Sequence, residues 1–208
     1  MNTVVTIAQC VADQGTNEVV IQIPAGQSVE VIDEAAAGMA VTIVLRVGRD
    51  AAVTYKASFA VSEGVVERSV TAESSEPGSA VSLLISCHTT QAGQFTLHTV
   101  QSHQASHTAS SARIVGVSEQ NSRVSVTSTI YIAPSLAAVT ARQVHKQLLL
   151  DAGSRAVSVP ALDILSDDVS CSHGSAITYL DPAQLFYLSA RGYRPDEART
   201  ALVKAFLQ

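Results

Sequence analysis

The chain contains no tryptophan, and aromatic residues make up only 4% of its 208 positions. An enzyme acting on polysaccharides usually offers the sugar an aromatic platform and a pair of carboxylates at productive separation. Neither an aromatic cluster nor a group of acids on strand-like positions is visible here. Positive charge is also sparse: Lys and Arg number 13 against 18 Asp and Glu, the net charge is −5, and no stretch concentrates the cations. Nucleic acids and anionic membrane surfaces are bound by concentrated Lys and Arg, so neither is expected as a partner. No run approaches the roughly 20 apolar residues of a membrane-crossing helix, and the first ten residues, Met1 to Cys10, lack the positive start of a secretory signal. The three cysteines, Cys10, Cys87 and Cys171, are an odd number at wide spacing and make a poor disulfide framework. Reduced thiols and a cytoplasmic location are expected. A Gly-x-x-x-x-Gly-Lys-[Ser/Thr] phosphate loop is missing, so the chain is expected to bind no nucleotide itself.

What the sequence has in quantity is Val, Ala, Ser and Thr, with a mean hydropathy of +0.24. Small and β-branched side chains fill narrow, repetitive interiors. From Gly26 onward a small or polar turn is repeatedly followed by alternating apolar and polar residues. The runs are Gly26 to Val31, Gly48 to Tyr55, Gly78 to Leu83, Gly93 to Val100, Asn121 to Thr127 and Gly153 to Val159. Period-two alternation after a turn signal marks a half-buried strand. Between Gly26 and about Val169 the only hint of helical periodicity is a weak one at Leu136 to Leu150. Regular short strands suit a sandwich, a barrel or a solenoid, and their spacing does not choose among these. At this length one main domain is expected.

The tail reads differently. Asp181-Pro182 is a helix cap followed by proline at the first helical position, and Gly192 is placed to stop that helix. Pro195-Asp196-Glu197 opens a second helix with acid in its first turn. Ala198, Leu202, Ala205 and Phe206 recur at helical spacing as its expected buried face.

Just before this tail, Asp167-Asp168-Val169-Ser170-Cys171-Ser172-His173-Gly174 sets a thiol and an imidazole two residues apart. In a strand such residues share a face. The order continues through Leu180-Asp181, Leu185-Phe186-Tyr187-Leu188, Arg191-Gly192 and Glu197-Ala198, and is preceded by Leu148-Leu149-Leu150 and Pro160-Ala161-Leu162-Asp163-Ile164. Together these residues resemble the C-terminal signature of the SufB/SufD scaffold family of iron–sulfur cluster assembly, its SufD branch in particular. A weaker likeness runs upstream through His103, His107 to Ser111 and Gln143, and before about Gly93 it is one of texture only. The chain departs from the family in Ile177-Thr178-Tyr179, where the family has a glycine, and in Ala190 before Arg191, where serine is usual. It is also shorter than full-length members and resembles a reduced form.

The resemblance implies a mainly β fold, a right-handed parallel β-helix (solenoid) over residues 1–176 with a short C-terminal helical hairpin over 177–208. It implies a non-catalytic scaffold that pairs through the β-helix, with a SufB-type partner or with a second copy. It further implies docking of a SufC-type ABC ATPase through the C-terminal helices, with Leu185, Phe186, Tyr187, Leu188 and Arg191 on or near that surface. His173 aligns with a family histidine implicated in holding iron or cluster at the paired interface, and Cys171 is its neighbour. Two donors fall short of a four-ligand site, so a transient iron–sulfur cluster would be shared with a partner chain. The bland alternatives are a His173 that only hydrogen-bonds in a turn and a Cys171 that packs as a small hydrophobe.

Three further groups carry residue types capable of chemistry. Cys87 and His88 are adjacent, and in a strand they would point to opposite faces and not meet as nucleophile and base. His98, His103 and His107 are the densest histidine group, a metal set only if a coil brings them to one face. Asp167-Asp168 reads as a solvated turn. The competing functions are a structural β-helix dimerisation module without a cluster site and, with less support, a polysaccharide-acting β-helix enzyme.

Overall fold

The computed structural model describes residues 3–34 and 40–207. Met1, Asn2 and Gln208, at the outer ends of the expected two-part division, lie outside the described residues. The strands are β1 (Thr3–Thr6), β2 (Glu18–Ile23), β3 (Ser28–Asp33), β4 (Ala40–Val47), β5 (Ala52–Val61), β6 (Val65–Ser74) and β7 (Ala80–Thr89). They continue as β8 (Gln94–His103), β9 (Ala109–Ser118), β10 (Arg123–Ile132), β11 (Ala137–Leu149), β12 (Arg155–Ile164) and β13 (Asp168–Tyr179). The helices are α1 (Ile7–Gln14), α2 (Pro182–Ala190) and α3 (Pro195–Leu207).

Successive strands alternate between two parallel sheets. One has the order β1-β3-β5-β7-β9-β11-β13 and the other β12-β10-β8-β6-β4-β2. This is a parallel β-helix of about six turns, and each of the six alternating runs read from the sequence is one of its strands. The alternation has a direct cause. Residues i and i+2 share a face, so Val53, Tyr55, Ala57, Phe59 and Val61 of β5 point inward and stack on Val81, Leu83, Ile85, Cys87 and Thr89 of β7. Parallel strands in register place like on like, and a narrow interior of Val, Ile, Leu and Ala results.

The turns between coils need unusual backbone. Gly78 has φ +77, and a Cβ there would strike the side chain of Asp50, itself at φ 53 in the coil below. Glycine fits this crowded left-handed position. Near the first coils one ion pair is buried: Arg68 Nε donates to Asp33 Oδ2 at 2.9 Å, and Tyr55 donates to the same oxygen at 2.7 Å. Burial, with the Asp33 charge beside it, holds the Tyr55 phenol well above its ordinary pKa.

Two expectations are corrected, at Leu136 to Leu150 and in α3, and one element, α1, lies before the stretch that the alternation covers. The stretch Leu136 to Leu150 is largely strand β11, with Val139, Ala141, Gln143, His145 and Gln147 all inward and buried. Three of those five are polar, which hides the alternation from a hydropathy reading. The N-terminal segment contains the helix α1, whose Ile7 is buried, with Cys10 and Val11 packed on the core. It is a single short helix whose first position has no side-chain cap. In α3 only Ala198 of the expected apolar face is buried; Leu202 and Phe206 are half-buried and Ala205 is exposed. The boundary expected at 176/177 falls inside β13, which runs to Tyr179.

The helical pair is capped as its residues suggest. Asp181 Oδ1 accepts from the Ala183 amide at 2.8 Å, Pro182 opens α2, and Gly192 at φ +92 follows its end. Glu197 Oε2 accepts from the Arg194 amide at 2.9 Å, closing the first turn of α3 from the acidic side.

Candidate functional site

Among the described residues the last coil, β12 with β13, has a neighbour on one side only. Its inward residues therefore face open space where earlier coils face another layer. Among them Leu162 is 39%, Ile177 42% and Tyr179 58% exposed. Val157 and Val159, on the outer face of β12, are also exposed, at 53% and 50%. Cys171 and His173 belong to this coil. Cys171 pairs with Ala141 and His173 with Gln143, and their partners are inward and buried. Both side chains thus lie on the inward face of β13. Cys171 is half-buried against a small cluster that includes Ile130, Ile132, Val139 and Ala141, and His173 is exposed. Burial raises the Cys171 pKa, opposed by a hydrogen bond from the Ala141 backbone amide.

Beneath this coil the interior changes character. Thr99, Gln101, His103, Ser110, Ser118, Gln143, His145 and Gln147 are all buried. Gln101 Nε2 donates to Ser110 Oγ at 2.6 Å, and the His103 ring bridges Thr108 and Ser110 at 2.6 and 2.7 Å. Gln143 Nε2 donates to the Ser128 carbonyl at 3.0 Å, and His145 Nδ1 meets Ser158 Oγ at 2.8 Å. Burial pushes the His103 pKa down to about 4 and lowers that of His145, where a hydrogen bond to Gln147 acts in the opposite sense. These imidazoles are neutral structural members. The Oε1 atoms of Gln101 and Gln143 and Thr99 Oγ1 are buried without a hydrogen-bond partner among the described residues. Gln143, in register under His173, thus joins the open coil to a polar interior. Its only signal in the sequence was its place in the family pattern, since a buried Gln has no period of its own.

Other expected groups separate. His98 and His107 are exposed while His103 is buried, so the three histidines do not share a face. Cys87 points inward, its thiol pushed up to about 12 by burial, and His88 points outward to Glu119 Oε1 at 2.8 Å. Among the described residues no three His, Cys, Asp or Glu side chains gather in a way that could hold a metal ion. A thiol and an imidazole are donor types that suit iron, and two of them fall short of a full ligand set.

The helical pair folds back on the outer face of the first sheet, where Ala198 is buried and Arg199 reaches Glu119. Leu185 and Leu188 are half-buried in α2, whereas Phe186 and Tyr187 are 75% and 56% exposed. The Arg191 guanidinium lies 5.0 Å from the centre of the Tyr187 ring.

Fold and site together define a parallel β-helix whose terminal coil carries a Cys and a His on an open inward face, followed by a helical pair with an exposed aromatic surface. The chain belongs to the SufBD family: the family model for the SUF system FeS cluster assembly SufBD core domain matches residues 9–206. It is 38% identical over 76 residues to an iron–sulfur cluster assembly SufBD family protein of Synechocystis, a stretch covering 36% of this chain and 17% of the relative. It is 46% identical over 66 residues to the chloroplastic protein ABCI7 of Arabidopsis thaliana, covering 32% and 14%. Against the iron–sulfur cluster assembly protein SufD of Escherichia coli it is 36% identical over 62 residues, covering 30% and 15%. The matched stretch is therefore a minor part of each of these longer relatives. Among the described residues no helix is long and apolar enough to cross a membrane.

Proposed function

We propose that this chain is a non-catalytic scaffold subunit of a SUF-type iron–sulfur cluster assembly complex. It pairs through the β12–β13 coil with a SufB-type partner or a second copy, and it docks a SufC-type ABC ATPase through α2 and α3. The observation that carries the reading is the open terminal coil, where unpaired strand edges and exposed apolar side chains coincide with Cys171 and His173. Unpaired edges of this kind are covered when another chain adds its strands. A partner seated there would supply the ligands that two donors lack, so the nascent cluster is cargo shared across the interface. Burying Phe186 and Tyr187 against the ATPase would account for two aromatic rings left in water. Three widely spaced cysteines, a poor disulfide framework, are consistent with work in a reducing cytoplasm.

The test is co-expression with a SufC-type ATPase from the same source, anaerobic purification, size-exclusion chromatography and assay of iron and sulfide, for wild type and His173→Ala. A stable complex whose iron falls in the variant supports the scaffold. A stable complex without iron assigns the chain to the second reading, a pairing module, which the shortage of donors favours. Failure to form any complex refutes the docking role of the helices.

A further inference from the structure

Charge that is scattered along the sequence is gathered by the fold. On the outer face of the first sheet, Arg113 of β9 stands opposite Val144 of β11. Arg142 and Lys146 flank that valine two residues to either side, opposite Ser111 and Val115. Ordinary strand spacing puts Arg113 roughly 8 Å from each of the other two, backbone to backbone. All three are exposed. No basic cluster shows along the sequence because the three cations come from two strands about thirty residues apart in the chain, one coil's length.

What sets this group apart is that three cations without a carboxylate partner among the described residues stand together on two adjacent strands. Arg46, Lys56, Arg68, Arg194 and Arg199 each reach a carboxylate. Among the described residues Arg113, Arg142 and Lys146 reach none, although the chain carries more acids than bases. They also border a groove of about 300 Å³, lined by Ser111, Ala112 and Val144 in addition to the three cations. One side of the groove stays open because β13 places Gly174 beside Val144, and a Cβ at that glycine would meet nothing within 4 Å.

We propose that this groove binds a phosphate-bearing small molecule. Two guanidinium forks and an ammonium suit the oxygens of a phosphoryl group, which arginine grips in bidentate fashion. The Ser111 hydroxyl adds a neutral hydrogen-bonding group, and Val144 gives an apolar floor for the remainder of the ligand. The volume is at the small end of small-molecule sites. The groove is lined by β9 and β11 alone, on the face that also carries the helical pair, and binding there needs neither partner.

The probe is inorganic pyrophosphate, titrated calorimetrically into the purified chain at low ionic strength. Wild type is expected to bind one equivalent saturably. Arg142→Gln and Lys146→Gln should each weaken binding at least tenfold, while Arg123→Gln, which removes the same charge from an exposed position on the other sheet, leaves it unchanged. Gly174→Val should also weaken binding by narrowing the groove with all cations in place. Circular dichroism confirms the fold of each variant, whose altered side chains all project from the surface. No saturable binding to wild type overturns the proposal, and so does an equal loss in Arg123→Gln, which would mark diffuse charge attraction.

Discussion

Arg199 of α3 donates through Nη2 to Glu119 Oε2 at 3.1 Å, joining the helical tail to the β-helix across 80 residues of sequence. The other oxygen of Glu119 sits 2.8 Å from His88 Nε2. One carboxylate thus serves both the sheet and the tail.

The pair is partly open to solvent, so its removal should cost little global stability, about 0.5 kcal/mol. Its effect should be local. In Arg199→Ala, amide hydrogen exchange is expected to speed up across residues 182–207 and to stay unchanged in β5 to β9. A uniform acceleration over the whole chain would show that the tail is not anchored at Glu119.

His103 gives the fold an acid weakness. Its pKa is lowered by burial from an ordinary 6.5 to about 4. The unfolded chain therefore takes up a proton that the folded chain refuses, and stability is lost as the pH falls from about 6.5 towards 4, with no further loss from this group below that. The shift corresponds to on the order of 3 kcal/mol. Urea midpoints should fall between pH 7 and pH 5, and His103→Gln should flatten that slope. An unchanged slope in the variant would assign it to other groups, His145 first among them.

Arg68 and Asp33 form a buried charge pair, so losing one member is more costly than losing both. Arg68→Met leaves the Asp33 carboxylate in the interior with the hydrogen bond from Tyr55 but no opposite charge beside it, at an expected cost of about 3–5 kcal/mol. Combining it with Asp33→Leu should recover much of that loss. A single variant that costs less than about 1 kcal/mol in urea unfolding contradicts the burial of the pair.

The thiols should differ in reactivity. Cys87 is buried and its pKa stands near 12, whereas Cys171 is half-buried on the open coil. Because thiolate and access together set the rate, iodoacetamide at pH 8 should modify Cys171 in the folded protein and reach Cys87 only in urea. Peptide mass spectrometry reads the order directly, and equal rates would refute it.

The strands and the helical tail were legible because their residues obey simple local rules. Val29 and Val31, or Phe95 and Leu97, alternate with polar neighbours and become inward positions. Asp181, Pro182 and Gly192 each do at the helix end what their chemistry favours. Closing these strands into a solenoid was legible only through the family resemblance, since sandwiches and barrels use the same alternation. The common face of Cys171 and His173 followed from their spacing. Their exposure did not, because it depends on β13 being the last strand of its sheet. The polar interior at Gln101, Gln143 and Gln147 was hidden for the opposite reason: a buried glutamine looks like a surface one until its neighbours are known.

Parallel, in-register stacking also restricts what can be added to the last coil. The pleat repeats every two residues, so a strand laid against β13 one residue out of step presents the wrong half of its side chains to Cys171 and His173. Acceptable alignments are therefore spaced by two residues, about 7 Å along the strand. A chain that seats here is selected by the order of its side chains as well as by their chemistry, much as a key is read by the sequence of its teeth.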